Sequence, residues 1–263
     1  MNTFEDFTIH QIASATLNRI VRVDFYLPDQ TDLAKGIDVL FVNDGQDLLK
    51  MDIRNMIKGL MIGSNLLILV AIHAGAERKK EYGVSGAPDF MNRGSKAGEY
   101  SSFIINELIP YLHTKIGTSI IRNKYIAGFS LGGLMAFDLA MEFPREFQAA
   151  GVFSGSFWWR SKDLKDGYVE ERDRIMHAKI RTKSSNNIQR FYLQTGALDE
   201  KADRNKNGII DSIDDTLDII KELEQIGFNQ EHQIKYVELP DGKHDVSTWK
   251  RAMPEFLQWL SLK

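Results

Sequence analysis

The stretch KYIAGFSLGGLMAFDLAMEF, from Lys124 to Phe143, constrains this chain more than any other. It opens as a short apolar strand (Tyr125, Ile126, Ala127). It turns sharply through Gly128-Phe129-Ser130-Leu131-Gly132-Gly133 and leaves as an apolar helix, Leu134 to Phe143. A G-x-S-x-G turn between a strand and a helix is a nucleophile elbow. Gly128 and Gly132 lack a Cβ where strand and helix pass closely. The turn holds Ser130 where a base can reach it, and a serine hydroxyl is a weak nucleophile until a base takes its proton. The helix N-terminus beneath the serine offers N–H groups to a developing oxyanion. A bare G-x-S-x-G is also a common flexible turn. The strand before it and the helix after it separate this one from that case.

Around the elbow, β-like and helical segments alternate. Thr8–Leu17 and Arg19–Leu27 alternate in polarity and predict an antiparallel edge pair, with a turn at Asn18-Arg19 and Pro28 ending the second strand. Ile37–Val42 and Leu66–Ile72 are short apolar runs bounded by turn residues, as buried strands are. Helical spacing marks Ile53–Leu60 and the amphipathic stretch Glu99–Ile116, which Pro110 should bend. Gly75–Gly98 is polar and predicts a long loop over the active-site end. Further strands are expected at Ala149–Phe153, Arg190–Gln194 and Gln233–Leu239, and helices at Ser161–Lys179, Thr216–Ile226 and Thr248–Leu260. This alternation predicts an α/β-hydrolase fold, a mostly parallel central sheet with helices on both faces. Without repeats or a linker, residues 1–263 are expected to form a single domain.

Composition narrows the partners. A net charge of -3 leaves no basic footprint, so no nucleic-acid partner is expected. The chain has no cysteine, which excludes disulfides, thiolate metal sites and a cysteine nucleophile. The start MNTFEDFTIHQ lacks the basic and apolar regions of a signal peptide. The apolar run GLMIGSNLLILVAI is broken by Gly63, Ser64 and Asn65, so no membrane partner is expected. A cytoplasmic location is the expectation.

In this fold the nucleophile is followed in the chain by an acid and then a histidine. His10, His73 and His113 precede Ser130. His177 falls in a charged helix and His232 enters a strand. His244 lies in the turn Pro240-Asp241-Gly242-Lys243-His244-Asp245 after the last strand, where functional groups of open α/β sheets gather. It is the expected base. The acid should follow Arg190–Gln194. Asp199 is the choice, with Glu200 and Asp203 competing, and its task is to orient the imidazole. The oxyanion hole needs two N–H groups. One is expected from Leu131 and the other from Gly45 or Gln46 in the loop Asn43-Asp44-Gly45-Gln46-Asp47. Trp158, Trp159 and Arg160, after the strand that follows the elbow helix, are candidates to line the substrate pocket.

These pieces resemble the putative-esterase family that contains the enterochelin and related siderophore esterases. The matching segments are FVNDGQDLL (41–49), ERKKEY (77–82), ELIPYL (107–112), AGFSLGGLMA (127–136), FSGSFWW (153–159) and GKHDVSTW (242–249). The resemblance implies a serine esterase that needs no cofactor for catalysis. It supports Ser130 and His244 as nucleophile and base, Gly45-Gln46 beside the oxyanion and, less firmly, Asp199. Arg78 and Glu81 match a motif of structural role. A small-molecule ester of siderophore, aromatic or lactone type is the expected substrate. The same triad would also serve an acyltransferase or a feruloyl or acetyl esterase, and a non-catalytic binding protein could share the fold.

One further motif stands apart. Residues 203–214, DRNKNGIIDSID, align with the calcium loop of an EF-hand. Asp203, Asn205 and Asn207 occupy its first three ligand positions, Gly208 the sharp turn, Ile209 the carbonyl position, Asp211 the next ligand position and Asp214 the last. The aspartate at the end resembles a dockerin loop. Oxygen-only ligands suit calcium, in a structural role. A polar turn whose aspartates cap the next helix is the competing reading.

Overall fold

The computed structural model describes residues 7–26, 36–58, 61–62, 65–117, 120–185 and 189–262. The expected ends at Leu27, Pro28 and Leu60 lie outside them. β1 (Thr8–Ser14) and β2 (Arg19–Tyr26) pair antiparallel, turning through Asn18 at φ 50°. β3 (Ile37–Asn43) is buried throughout. A 3-10 turn (Gly45–Met51), α1 (Ile53–Ile57) and the short β4 (Met61–Ile62) lead to β5 (Asn65–Ile72). The expected loop over 75–98 contains α2 (Arg78–Glu81) and the start of α3 (Ala97–Phe103).

The helix expected over 99–116 is interrupted. A π turn at Ile104–Leu108 separates α3 from α4 (Ile109–Ile116). Pro110 stands in the first turn of α4 and has no N–H to continue the ladder, so the winding changes just before it. β6 (Ile121–Phe129) then runs into α5 (Leu131–Glu142) and β7 (Ala149–Phe153). The single helix expected over 161–179 is replaced by turns and two short helices, α6 (Glu170–Asp173) and α7 (Ile175–Ile180). Gly167 at φ 70° breaks the winding, and the Asp173 carboxylate accepts from the Val169 N–H. β8 (Arg190–Leu198), α8 (Asp211–Gln225), α9 (Gln230–Gln233), β9 (Ile234–Lys243) and α10 (Val246–Ser261) complete the described chain. His232 lies in α9, where the Asn229 side chain caps its N–H, and not in a strand.

The described strands form one sheet in the order β1-β2-β5-β3-β6-β7-β8-β9, with β4 on β5. Pairing is parallel from β5 across to β9 and antiparallel at the β1-β2 edge, which is the α/β-hydrolase fold. Alternation along β3 sends Val39 and Phe41 to one face and Leu40 and Val42 to the other. The first face packs against α3, α4, α5, α7 and α8, and the second against α1 and α10. α5 is buried from Leu131 to Met141, which accounts for its apolar run. Among the described residues, no helix is long and apolar enough to cross a membrane.

Candidate active site

Ser130 sits between β6 and α5 at φ 53° and ψ −121°. An L-residue in that region is strained by about 1–3 kcal/mol, and surrounding structure must hold it there. Here the Ser130 N–H donates to the Phe153 carbonyl at 2.8 Å. The Ser130 carbonyl accepts from the N–H groups of Gly133, Leu134 and Ser156 at 3.0, 3.1 and 3.2 Å. Strand and helix pass so closely that a Cβ on Gly128 would lie 2.2 Å from the Gly132 carbonyl oxygen. The hydroxyl opens into a cavity of about 300 Å³, whose lining includes Ser156, Trp158, Asp199 and His244. Ser130 Oγ lies 3.5 Å from Ser156 Oγ.

His244 follows the end of β9. Asp245 caps α10 by accepting from the Thr248 N–H at 2.8 Å, which fixes the backbone beside the histidine. The His244 ring meets the Trp249 indole edge-on, with centroids 5.4 Å apart. Burial pushes the His244 pKa below its ordinary value, the Asp199 charge pulls it up and Arg78 pushes it down. The ring is therefore neutral at pH 7, the state a general base requires.

Asp199 stands just past the end of β8. One oxygen, Oδ2, accepts from the Gly196 N–H at 3.1 Å. The Ser154 hydroxyl favours the charged form of the same carboxylate, and Ser154 Oγ accepts from the Trp249 indole N–H at 3.0 Å. The other oxygen, Oδ1, is buried with no hydrogen-bond partner among the described residues. Burial raises the Asp199 pKa, against these donors and the His244 charge. The ends of β8 and β9 come together because Gly196 and Gly242 both lack a Cβ. One built on Gly196 would lie 2.5 Å from the Gly242 backbone. Of the competing acids, Glu200 also lines the cavity, whereas Asp203 accepts from the N–H groups of Asn207 and Gly208 in its own turn.

The expected oxyanion groups belong to the start of α5 and to the turn after β3, the strand beside β6. Leu131 is the first residue of α5, and the first N–H groups of a helix have no partner within it. Gly45 and Gln46 begin the 3-10 turn after β3. The Gln46 side chain accepts from the Ala74 N–H at 3.0 Å and donates to Asp44 at 3.1 Å. Asn43 ties this loop to the elbow by donating to the Gly132 carbonyl at 2.9 Å, and Tyr100 donates to Asn43 at 2.7 Å. Arg78 pairs with Asp44 and Glu81 with Arg19.

The three candidate pocket residues separate. Trp158 lines the cavity, with the Arg93 guanidinium 4.7 Å from its ring. Trp159 does not reach it. Its ring is fully buried beside Gly83 and Gly94, and its indole donates to the Ala87 carbonyl at 3.0 Å. Arg160 is also turned away, stacked 4.9 Å from the Phe90 ring. Ser154, Ser156 and Ser212 are cavity residues that the sequence reading did not assign, and Glu200 entered it only as a competing acid. The first two were visible in the Ser-Gly-Ser motif at a strand end.

In the turn over 203–214, the amides of Asn205 and Asn207 donate to Asp214 Oδ2 at 2.7 and 3.3 Å. Gly208 turns at φ 88°. Asp211 begins α8 and accepts from the Arg204 N–H at 2.9 Å. Asn205 and Asn207 thus meet at Asp214, Asp203 holds the backbone of the same turn and Asp211 is shared with Arg204, while the carboxylates that gather around Asp214 among the described residues are those of Glu170 and Asp218.

Residues 14–260 match the family model described as "Putative esterase". The chain belongs to this esterase family. The chain superposes on the siderophore hydrolase EstB from Aspergillus nidulans with a TM-score of 0.72 at 14% identity, covering 99% of this chain and 96% of that one. It superposes on the enterobactin esterase FES from Shigella flexneri with a TM-score of 0.66 at 16% identity, covering 98% of this chain and 59% of that one. At such identities the two superpositions show a shared fold. In sequence, the chain is 29% identical over 148 residues to the protein named "Uncharacterized protein YbbA" of Bacillus subtilis, over 53% of this chain and 58% of that protein. It therefore spans about three-fifths of the length of the Bacillus and Shigella proteins.

Proposed function

We propose that this esterase cleaves small carboxylic esters through an acyl-enzyme on Ser130, with His244 as base and Asp199 as the group that orients it. The observation that carries this reading is the strained Ser130, which opens into one cavity with His244 and Asp199. His244 takes the Ser130 proton as Oγ attacks the ester carbonyl. The oxyanion is received by the N–H of Leu131 and one from Gly45 or Gln46. His244 then returns the proton to the leaving alcohol, and water repeats the sequence to free the acid. Asp199 steadies the imidazolium formed in both halves. Trp158 gives the cavity an aromatic wall, which supports siderophore-type or other aromatic and lactone esters. The names of the Aspergillus and Shigella structural relatives point the same way. A screen over aryl, acetyl and lactone esters, run beside Ser130→Ala and with and without an alcohol acceptor, tests the reading. Hydrolysis that survives in Ser130→Ala overturns it, and ester products from the alcohol would reassign the esterase as an acyltransferase.

The turn over 203–214 is, in our reading, a structural calcium site. Its support is the EF-hand spacing of the sequence, the turn that Asp203 curls around its carboxylate and the meeting of Asn205 and Asn207 at Asp214. An ion there would brace the chain between Asp199 and α8, and no catalytic step needs it.

A further inference from the structure

The cavity holds two acceptors that the proposed mechanism leaves unused. Glu200 follows Asp199 directly, yet its carboxylate is held differently. The backbone N–H of Ser212, in the first turn of the 15-residue helix α8, favours its charged form. Burial nonetheless raises the Glu200 pKa above its ordinary value, and the Ser212 N–H only partly opposes it. Glu200 Oε1 is buried with no hydrogen-bond partner among the described residues. Ser212 Oγ is in the same condition, and both side chains line the Ser130 cavity. Two buried oxygens without a donor, on adjoining walls of one cavity, are an unusual arrangement in a folded protein. Such groups are costly unless something else supplies the donor.

The surroundings say what kind of donor fits. The charges acting most strongly on Glu200 are those of Asp211, Asp215 and Asp199; Arg204 pairs with the first two, and the acceptors left without a donor are Glu200 Oε1 and Ser212 Oγ. This end of the cavity favours positive or hydrogen-donating groups and disfavours anions. It lies on the β8 side of Ser130, away from the Gly45-Gln46 loop after β3. An ester whose carbonyl oxygen faces that loop would extend one arm toward Glu200.

We propose that Glu200 and Ser212 form a specificity subsite that accepts a hydrogen-bond donor, a hydroxyl or an ammonium group, on one arm of the ester substrate. This rests on Ser130 being the reactive centre, so the test includes a readout that does not depend on turnover. Benzylamine, benzyl alcohol and benzyl methyl ether share a ring and differ in the donor. Their binding is measured by calorimetry on the intact wild type and on Ser130→Ala, Glu200→Ala, Glu200→Gln and Ser212→Ala, with melting temperatures recorded for each. Beside it, kcat/KM is measured for 4-nitrophenyl esters of phenylacetic, 4-hydroxyphenylacetic and 4-(aminomethyl)phenylacetic acids.

The proposal expects wild type and Ser130→Ala to bind the amine or the alcohol at least fivefold more tightly than the ether. Glu200→Ala should erase that preference and Ser212→Ala reduce it. Glu200→Gln, which keeps an acceptor oxygen but no charge, should retain the preference for a hydroxyl and lose that for an ammonium. In turnover, the preference should appear in KM more than in kcat. Equal binding of the three compounds to wild type, or a preference that survives in folded Glu200→Ala, overturns the subsite. Ester hydrolysis that survives in Ser130→Ala overturns the serine mechanism instead, and the two failures are distinguishable.

Discussion

Arg78 and Asp44 meet in a two-point ion pair, Nε to Oδ1 at 2.6 Å and Nη2 to Oδ2 at 2.7 Å. Asp44 is buried and lies in the left-handed region at φ 59°, immediately before Gly45. Its own N–H donates to the Tyr82 hydroxyl at 3.3 Å. A strained backbone is thus held from the side chain by a planar fork and from the main chain by a buried phenol. What it holds is the start of the turn that carries the proposed oxyanion donors. A hole of this kind works by preorganisation, so the clamp matters more in the transition state than in the ground state.

Arg78→Lys tests that relationship. Lysine keeps the charge but cannot reproduce the two-point geometry. We expect kcat to fall roughly tenfold with KM little changed, since a displaced oxyanion donor weakens the transition state selectively. Arg78→Ala should also lower the melting temperature, because it leaves the Asp44 carboxylate buried without its partner. Steady-state kinetics that show a change in KM alone would assign Arg78 to substrate binding instead.

Ser130→Ala and His244→Ala should each reduce kcat by roughly 10³–10⁶-fold, and the double variant by little more, since members of a triad act as a unit. Asp199→Asn should cost on the order of 10⁴-fold, by the tautomer argument. Turnover within about tenfold of wild type in the first two variants would remove the serine mechanism.

The elbow was legible because its chemistry is local. Strand, two glycines, serine and helix all fall within one short stretch, and β6 and α5 lie where the residues predict. Elimination by chain order singled out His244, and the structure places it in the cavity with Ser130. Asp199 was chosen as lying beyond a strand end at Gln194, yet β8 continues to Leu198 through a bulge after Gly196. What escaped depends on contacts between distant segments. Ser154 joins Trp249 to Asp199, and nothing in its own neighbourhood announces that link. Trp158 and Trp159 are adjacent and chemically alike, and only packing against Gly83 and Gly94 decides which of them turns inward. The residues 161–179 have helical composition, but the positive φ of Gly167 and the side-chain bonds of Asp173 override propensity.

The pH dependence follows from the His244 environment. Burial is the largest influence and lowers its pKa, so the neutral base persists below the ordinary histidine value. The acid limb of kcat/KM should therefore have its midpoint below about 6.5, with activity lost as pH falls and His244 takes up a proton. Asp199 raises this pKa and Arg78 lowers it. Asp199→Asn should consequently move the midpoint further down in whatever activity remains, and Arg78→Met should move it up. Profiles of kcat/KM from pH 4 to 8 check both signs. A midpoint unmoved in both variants would show that a group other than His244 controls the limb.

The calcium reading of the turn over 203–214 predicts a change in stability. Asp203 accepts from the N–H groups of Asn207 and Gly208 at 3.1 and 3.0 Å, which curls the chain around its carboxylate. Asn205 and Asn207 reach Asp214 through their amide nitrogens, and a half-turn of each amide would present oxygen to an ion instead. Arg204 competes for Asp211, so the ion must draw that carboxylate partly from an existing partner. A ligand that binds only the folded state stabilises it by about 2.7 kcal/mol at a hundredfold excess over Kd. For a chain of this size that corresponds to a rise in Tm of roughly 5–10 °C. We expect the melting temperature to be higher in millimolar calcium than in chelator, with magnesium a poor substitute because it demands tighter octahedral geometry. The difference should vanish in the double variant Asp203→Ala/Asp211→Ala, while kcat in calcium and in chelator stays alike at temperatures well below both transitions. Equal melting of the wild type under the two conditions, in scans that resolve 1 °C by the same scaling, would leave these residues as a helix-capping turn.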